Sequence, residues 1–71
     1  MKTYIIIRFE TKWRNALKPY PEFRWIRTKA TPKRMPASIE RARKFGETLV
    51  VEESDGKPFT RKLVAVEVVE R

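Results

Sequence analysis

The run Thr3-Tyr4-Ile5-Ile6-Ile7-Arg8-Phe9-Glu10 constrains the fold of this chain more than any other segment. It is short, β-branched and aromatic, which predicts a strand. Side chains alternate across a strand, so Ile5, Ile7 and Phe9 share one face and Tyr4, Ile6 and Arg8 the other. Both faces are largely apolar, and such a strand belongs in the middle of a sheet with cover on both sides. The chain has 71 residues, enough for one domain spanning 1–71. A domain this size buries only about 60% of the surface its unfolded chain exposes, so one helix on one sheet is the core to expect.

The remaining elements follow from local signals. Thr11 to Lys18 reads as a short helical turn, with Thr11 as N-cap and Trp13 and Leu17 as neighbours four apart. It stops at Lys18-Pro19-Tyr20-Pro21, because residues before proline avoid the α region. Glu22 to Ala30 alternates as a second strand, followed by a loop from Thr31 to Pro36. Pro36 to Phe45 is the helix: Pro36 suits its first turn, Ser38 is an alternative N-cap, and Gly46 suits the position just past its end. Glu40 lies toward the positive end of its dipole and Arg43 and Lys44 toward the negative end. Met35, Ile39, Ala42 and Phe45 form its apolar stripe. Glu47 to Glu53 reads as a third strand and Phe59 to Val69 as a fourth. Asp55-Gly56 between them signals a hairpin. In the last strand Val64, Val66 and Val68 line one face, and Leu63, Ala65, Glu67 and Val69 the other. The expected class is α+β: a mostly antiparallel sheet of three or four strands, one helix packed on one face, and a C-terminal β-hairpin.

Composition closes several functional classes. Cysteine and histidine are absent, so disulfides, thiolate nucleophiles, zinc sites and iron–sulfur clusters are not expected. The two serines have no histidine partner for a triad. With two glycines, Gly46 and Gly56, a phosphate-cradling glycine loop is excluded. Glu47, Glu52, Glu53 and Asp55 are the one carboxylate cluster, and on a strand and hairpin they do not converge. They read as edge charges that discourage aggregation. We therefore expect binding and not catalysis, with no cofactor and no metal. Met1, one lysine and three isoleucines fall short of a signal peptide, and no apolar run spans a membrane. The expected location is the cytoplasm, or a host cell interior for a viral protein. The scarcity of Asn, Gln and Cys beside many Glu and Lys matches the compositional drift of thermophile proteins.

Charge placement then points to a partner. The formal net charge is +8. Residues 12–34 hold eight cations against Glu22 alone, a net of +7, whereas residues 47–71 have a net of −2. A cationic patch attracts polyanions, and Lys or Arg contacts to phosphate gain free energy by counterion release. The same segment interleaves aromatics with cations, as single-strand binders do. The candidate contacts are Lys12, Arg14, Arg24, Arg27, Lys29, Lys33 and Arg34 for phosphates, with Trp13 and Tyr20 as stacking residues. Phe23 and Trp25 read instead as half-buried core residues, which a domain this small requires. The expected function is a nucleic-acid-binding module acting on DNA or RNA. The alternative is a protein–protein module, such as a viral or accessory factor that binds an acidic protein surface on a larger machine. A homodimer formed by edge or face pairing of sheets is compatible with either.

Overall fold

A computed structural model describes all 71 residues. The chain folds as β1 (Thr3–Trp13), β2 (Tyr20–Thr28), α1 (Met35–Ser54) and β3 (Phe59–Glu70). The strands form one antiparallel sheet in the order β2-β1-β3. The doubly apolar first strand is the central one, and Ile5, Ile6 and Ile7 are all buried. Strand register sorts the side chains. Ile5, Ile7, Phe9, Thr11 and Trp13 share a face with Ile26, Arg24, Glu22 and Tyr20 of β2 and with Val68, Val66, Leu63, Arg61 and Phe59 of β3. This is the Ile7 face. Tyr4, Ile6 and Arg8 share the other, the Tyr4 face, with Arg27, Trp25, Phe23, Val69, Glu67 and Ala65. No helix is long and apolar enough to cross a membrane.

Four expectations are corrected. The segment from Thr11 to Lys18 does not start as a helical turn: β1 continues to Trp13, and Thr11 and Trp13 extend the alternation of Phe9 to pair with Arg61 and Phe59. The segment from Glu47 to Glu53 is not a strand. The helix runs through Gly46 to Ser54, so the sheet has three strands and there is no C-terminal hairpin. Asp55-Gly56 joins a helix to a strand instead, with Gly56 at φ +68°, a conformation glycine takes at no steric cost. Leu63 lies on the Ile7 face with Val66 and Val68, because the register against β1 shifts between Arg8 and Phe9 and leaves Val64 as an extra, exposed residue. Such a bulge inverts the facing of whatever precedes it. Finally, β2 begins at Tyr20 and includes Pro21, tolerated because β2 is an edge strand and needs no outward N–H bond.

Gly46 explains the long helix. It is buried, and Ala42, Gly46 and Leu49 recur at spacings of four and three, the period of one helix face. Ala42 and Leu49 join Ile5, Ile7 and Phe9 in one core cluster, with Met35, Val50, Leu63 and Val66 packed against it. A methyl group on Gly46 would sit 2.9 Å from Ile7 Cγ2 and 3.2 Å from Leu63 Cδ1. Glycine costs a helix about 1 kcal/mol, and here close packing outweighs that cost. The helix end is acidic, with Glu52 and Glu53 in its last turns and no basic residue there, an arrangement the dipole disfavours. Glu53 is offset by two arginines. Arg24 Nη2 donates to both of its oxygens at 3.1 and 3.0 Å, and Arg61 Nη1 donates to Oε1 at 3.0 Å. Arg61 also donates to Thr11 Oγ1 and to Glu22 Oε1, while Thr11 donates to Glu22. The Arg61 side chain is only 10% exposed, and its guanidinium lies near the rings of Phe9 and Phe59. All three of its nitrogens are therefore spent inside the fold.

Two outcomes follow. Gly46→Ala gains helix propensity but overpacks a fully buried β-branched neighbour, for a net loss of about 1 kcal/mol and a fall in Tm of roughly 4–8 °C. A thermal melt checks this, and a raised Tm would contradict the close approach. The Thr11 hydroxyl, with Arg61 and Arg24, holds the Glu22 carboxyl below its ordinary value against a smaller opposing effect of burial. A depressed carboxylate contributes stability that is fully present above the unfolded value, about 4.3, and is lost as pH falls through the folded one. Denaturant midpoints measured from pH 6 to about pH 2.5 are expected to decline more steeply for the native chain than for Glu22→Gln.

Candidate nucleic-acid interface

The Tyr4 face carries a graded set of side chains. Cross-strand rows run Arg27–Tyr4–Val69, Trp25–Ile6–Glu67 and Phe23–Arg8–Ala65. Ile6 is buried in the middle of this face. Phe23 is 47% exposed and Trp25 44%. They are not core residues, contrary to expectation. Their alternation is that of a half-buried strand, but β2 is an edge, and their side chains point to the face away from Ile7. The Tyr4 ring meets Trp25 edge-on, with centroids 5.6 Å apart.

Arginines lie over both exposed rings. Arg8 Cζ is 4.9 Å from the Phe23 centroid and Arg71 Cζ 5.0 Å from that of Trp25. Arg71 is held in place by reciprocal backbone bonds with Lys2, which add one rung to the β1–β3 ladder. From there its side chain reaches past β1 to a ring on β2. Arg8 Nε lies 3.0 Å from Glu67 Oε2, an ion pair with no hydrogen bond, since that buried nitrogen has no acceptor in line.

The predicted contacts do not gather in one patch. Lys12, Trp13 and Arg14 border a depression at one end of the sheet with Lys57, Pro58 and Phe59. Trp13 leans on Phe59 at 4.9 Å and donates from Nε1 to the Tyr20 hydroxyl at 2.7 Å, which ties the two predicted stacking residues to each other. Lys29, Arg34 and Arg41 border a second depression, where β2 ends and α1 begins, and Arg27 borders the adjoining concavity. Lys33 is exposed in the loop between these elements. The two groups are separated by the length of β2, about 27 Å at 3.4 Å per residue. Arg24 lies between them and is committed to Glu53.

Ion pairing sharpens the charge imbalance. Arg8, Arg24 and Arg61 pair with Glu67, Glu53 and Glu22. Removing three pairs from 17 cations and nine carboxylates leaves fourteen cations and six carboxylates without a partner. Lys12, Arg14, Arg27, Lys29, Lys33 and Arg34 are all among those fourteen and all exposed. Phe23, Trp25, Arg8 and Arg71 are absent from the sequence-based set. The spacing Phe23-Arg24-Trp25 signals that both rings share a face, but only the strand pairing and burial show that it is the face away from Ile7 and that both rings stay exposed. Arg71 lies 46 residues from Trp25 in sequence, and no local signal joins them.

Comparison with known proteins adds no relative: no protein-family model, no curated protein and no solved structure matches this chain.

Proposed function

We propose that this chain is a nucleic-acid-binding module that works without catalysis. The observation that carries the proposal is the unpaired cationic surface around β2: Arg27, Lys29, Lys33 and Arg34 are exposed, make no ion pair, and adjoin Arg41 on α1. Unpaired cations near one another raise the local concentration of polyanions and bind phosphates by releasing counterions. With α1 taken to pack on the Ile7 face alone, the Tyr4 face is left free for a ligand. Lys12 and Arg14 provide a second cationic group at the far end, so a bound strand would meet positive charge at both ends of the sheet.

A second reading has one observation in its favour. Ile5, Ile26, Ala42 and Phe45 line a shallow concavity between α1 and β2, with Arg27 and Arg41 at its border. An apolar floor with a cationic rim suits an acidic, amphipathic protein segment. In that reading the module docks on a larger protein, and the aromatic and arginine residues are its anchors.

The test is binding of labelled oligonucleotides at several salt concentrations, native chain against Arg27→Glu/Arg34→Glu. Micromolar or tighter binding is expected, falling steeply with salt. The double variant should bind every sequence more weakly, with a log–log salt slope shallower by about 1.4–1.8. Unchanged binding in the double variant would remove these residues from the interface. No binding by the native chain at physiological salt would favour the protein partner, checked by a pull-down that survives nuclease.

A further inference from the structure

We infer that the Tyr4 face binds single-stranded nucleic acid, with two consecutive bases stacked on Phe23 and Trp25. This rests on the nucleic-acid reading and specifies the form of the ligand. The two rings are two residues apart on one strand and on one face, so their attachment points are about 6.8 Å apart. That is about twice the 3.4 Å repeat of a stacked strand. Adjacent bases must therefore separate from each other for each to meet its own ring. A single strand separates its bases at modest cost. A duplex keeps its bases stacked and offers only their edges in the grooves, so it has no free base face to give these rings.

The surrounding charges suit such a strand. Arg27 follows Trp25 on the same face of β2, and Arg8 stands across from Phe23. The carboxylates on this face are Glu10 and Glu67, and Glu67 is taken by Arg8. The Arg71 guanidinium over Trp25 is a displaceable cover, whereas Arg8 beside Phe23 is held by Glu67. Arg71 is exposed and makes no ion pair, so it has donors to spend on phosphate. A base stacked on an exposed ring gains more than an exposed cation–π contact loses. Binding thus exchanges the Arg71 cover for a base and turns that arginine toward the backbone, while Arg8 keeps Glu67 neutralised.

The experiment compares a labelled single strand of about twelve nucleotides with a hairpin duplex of the same composition, by fluorescence anisotropy at one moderate salt concentration. The proteins are the native chain, Phe23→Leu, Trp25→Leu and Arg27→Glu/Arg34→Glu. Leucine keeps apolar bulk at both exposed positions, and circular dichroism melts confirm that each variant folds. The native chain is expected to prefer the single strand by tenfold or more. Each leucine variant should lose roughly 5- to 150-fold in single-strand affinity, with little change for the duplex and an unchanged salt slope. If the leucine variants bind the single strand as tightly as the native chain while the charge-reversed variant does not, the stacking inference falls and the nucleic-acid reading stands. If the native chain binds neither ligand, both fall. If Trp25→Leu converts a dimer to a monomer in sedimentation without altering oligonucleotide affinity, the face pairs with a second copy and the inference is overturned.

Discussion

The close approach of α1 to β1 at Gly46 is the contact on which the rest of this structure depends. Only a hydrogen fits between the helix backbone and the fully buried Ile7, with Leu63 closing the other side. That fit lets the helix continue for 20 residues, about 30 Å at 1.5 Å per residue, and so run along much of the sheet. Had the helix stopped at Gly46, Leu49 to Val51 would be free to add a strand. One glycine, read as a stop or as a point of contact, separates a four-stranded sheet from the three-stranded one.

The long helix also sets the electrostatics. By reaching Ser54 it brings Glu53 over the sheet, where Arg24 of β2 and Arg61 of β3 meet it. Arg61 is nearly buried and donates from each of its three nitrogens, so it belongs to the fold and not to the surface. A charge this enclosed is tolerated because Thr11, Glu22 and Glu53 satisfy it together; removing one partner would leave it underpaired. The Glu47–Asp55 cluster, which the sequence suggests as edge-strand charges, is therefore divided: Glu53 ties helix to sheet, and the others lie on or just past α1. The ion pairs consume three carboxylates and leave the cations of the β2–α1 loop unopposed.

How much of this was legible in the sequence depended on how local each signal is. The central strand was legible because five apolar side chains, Tyr4, Ile5, Ile6, Ile7 and Phe9, on two faces leave few alternatives, and β2 and β3 were legible from their alternation. The second half of α1 was not, because Thr48-Leu49-Val50-Val51 has strand-like composition and Gly46 has the look of a terminator. The contact that overrides both signals is with Ile7 and Leu63, far away in the chain. The facing of Leu63 was lost to a single bulged residue, Val64, that no composition marks. For the site, charge density found the cationic residues but not their division between the two ends of β2. Phe23 and Trp25 read as core residues because a domain this small needs them and they alternate as half-buried strand residues do, whereas their facing away from Ile7 is visible only in the strand pairing.

The exposure of those two rings needs a reason, because an edge strand with apolar side chains invites pairing with another chain. The fold meets this in two ways. Pro21 and the charged neighbours Glu22, Arg24 and Arg27 make β2 a poor template for a further strand. Arg8 and Arg71 lie over the rings themselves, presenting guanidinium where bare aromatic carbon would otherwise face water. Over Trp25 the protection is reversible, since Arg71 makes no ion pair and a cation over an exposed ring is held by less than a stacked base would be. A fold that needed Phe23 and Trp25 only as filler would have turned them toward Ile7, where β2 already contributes Ile26 to the core. Keeping them outside, spaced along one strand with Arg71 as removable cover, has a physical purpose if a planar ligand with an anionic backbone stacks on the rings.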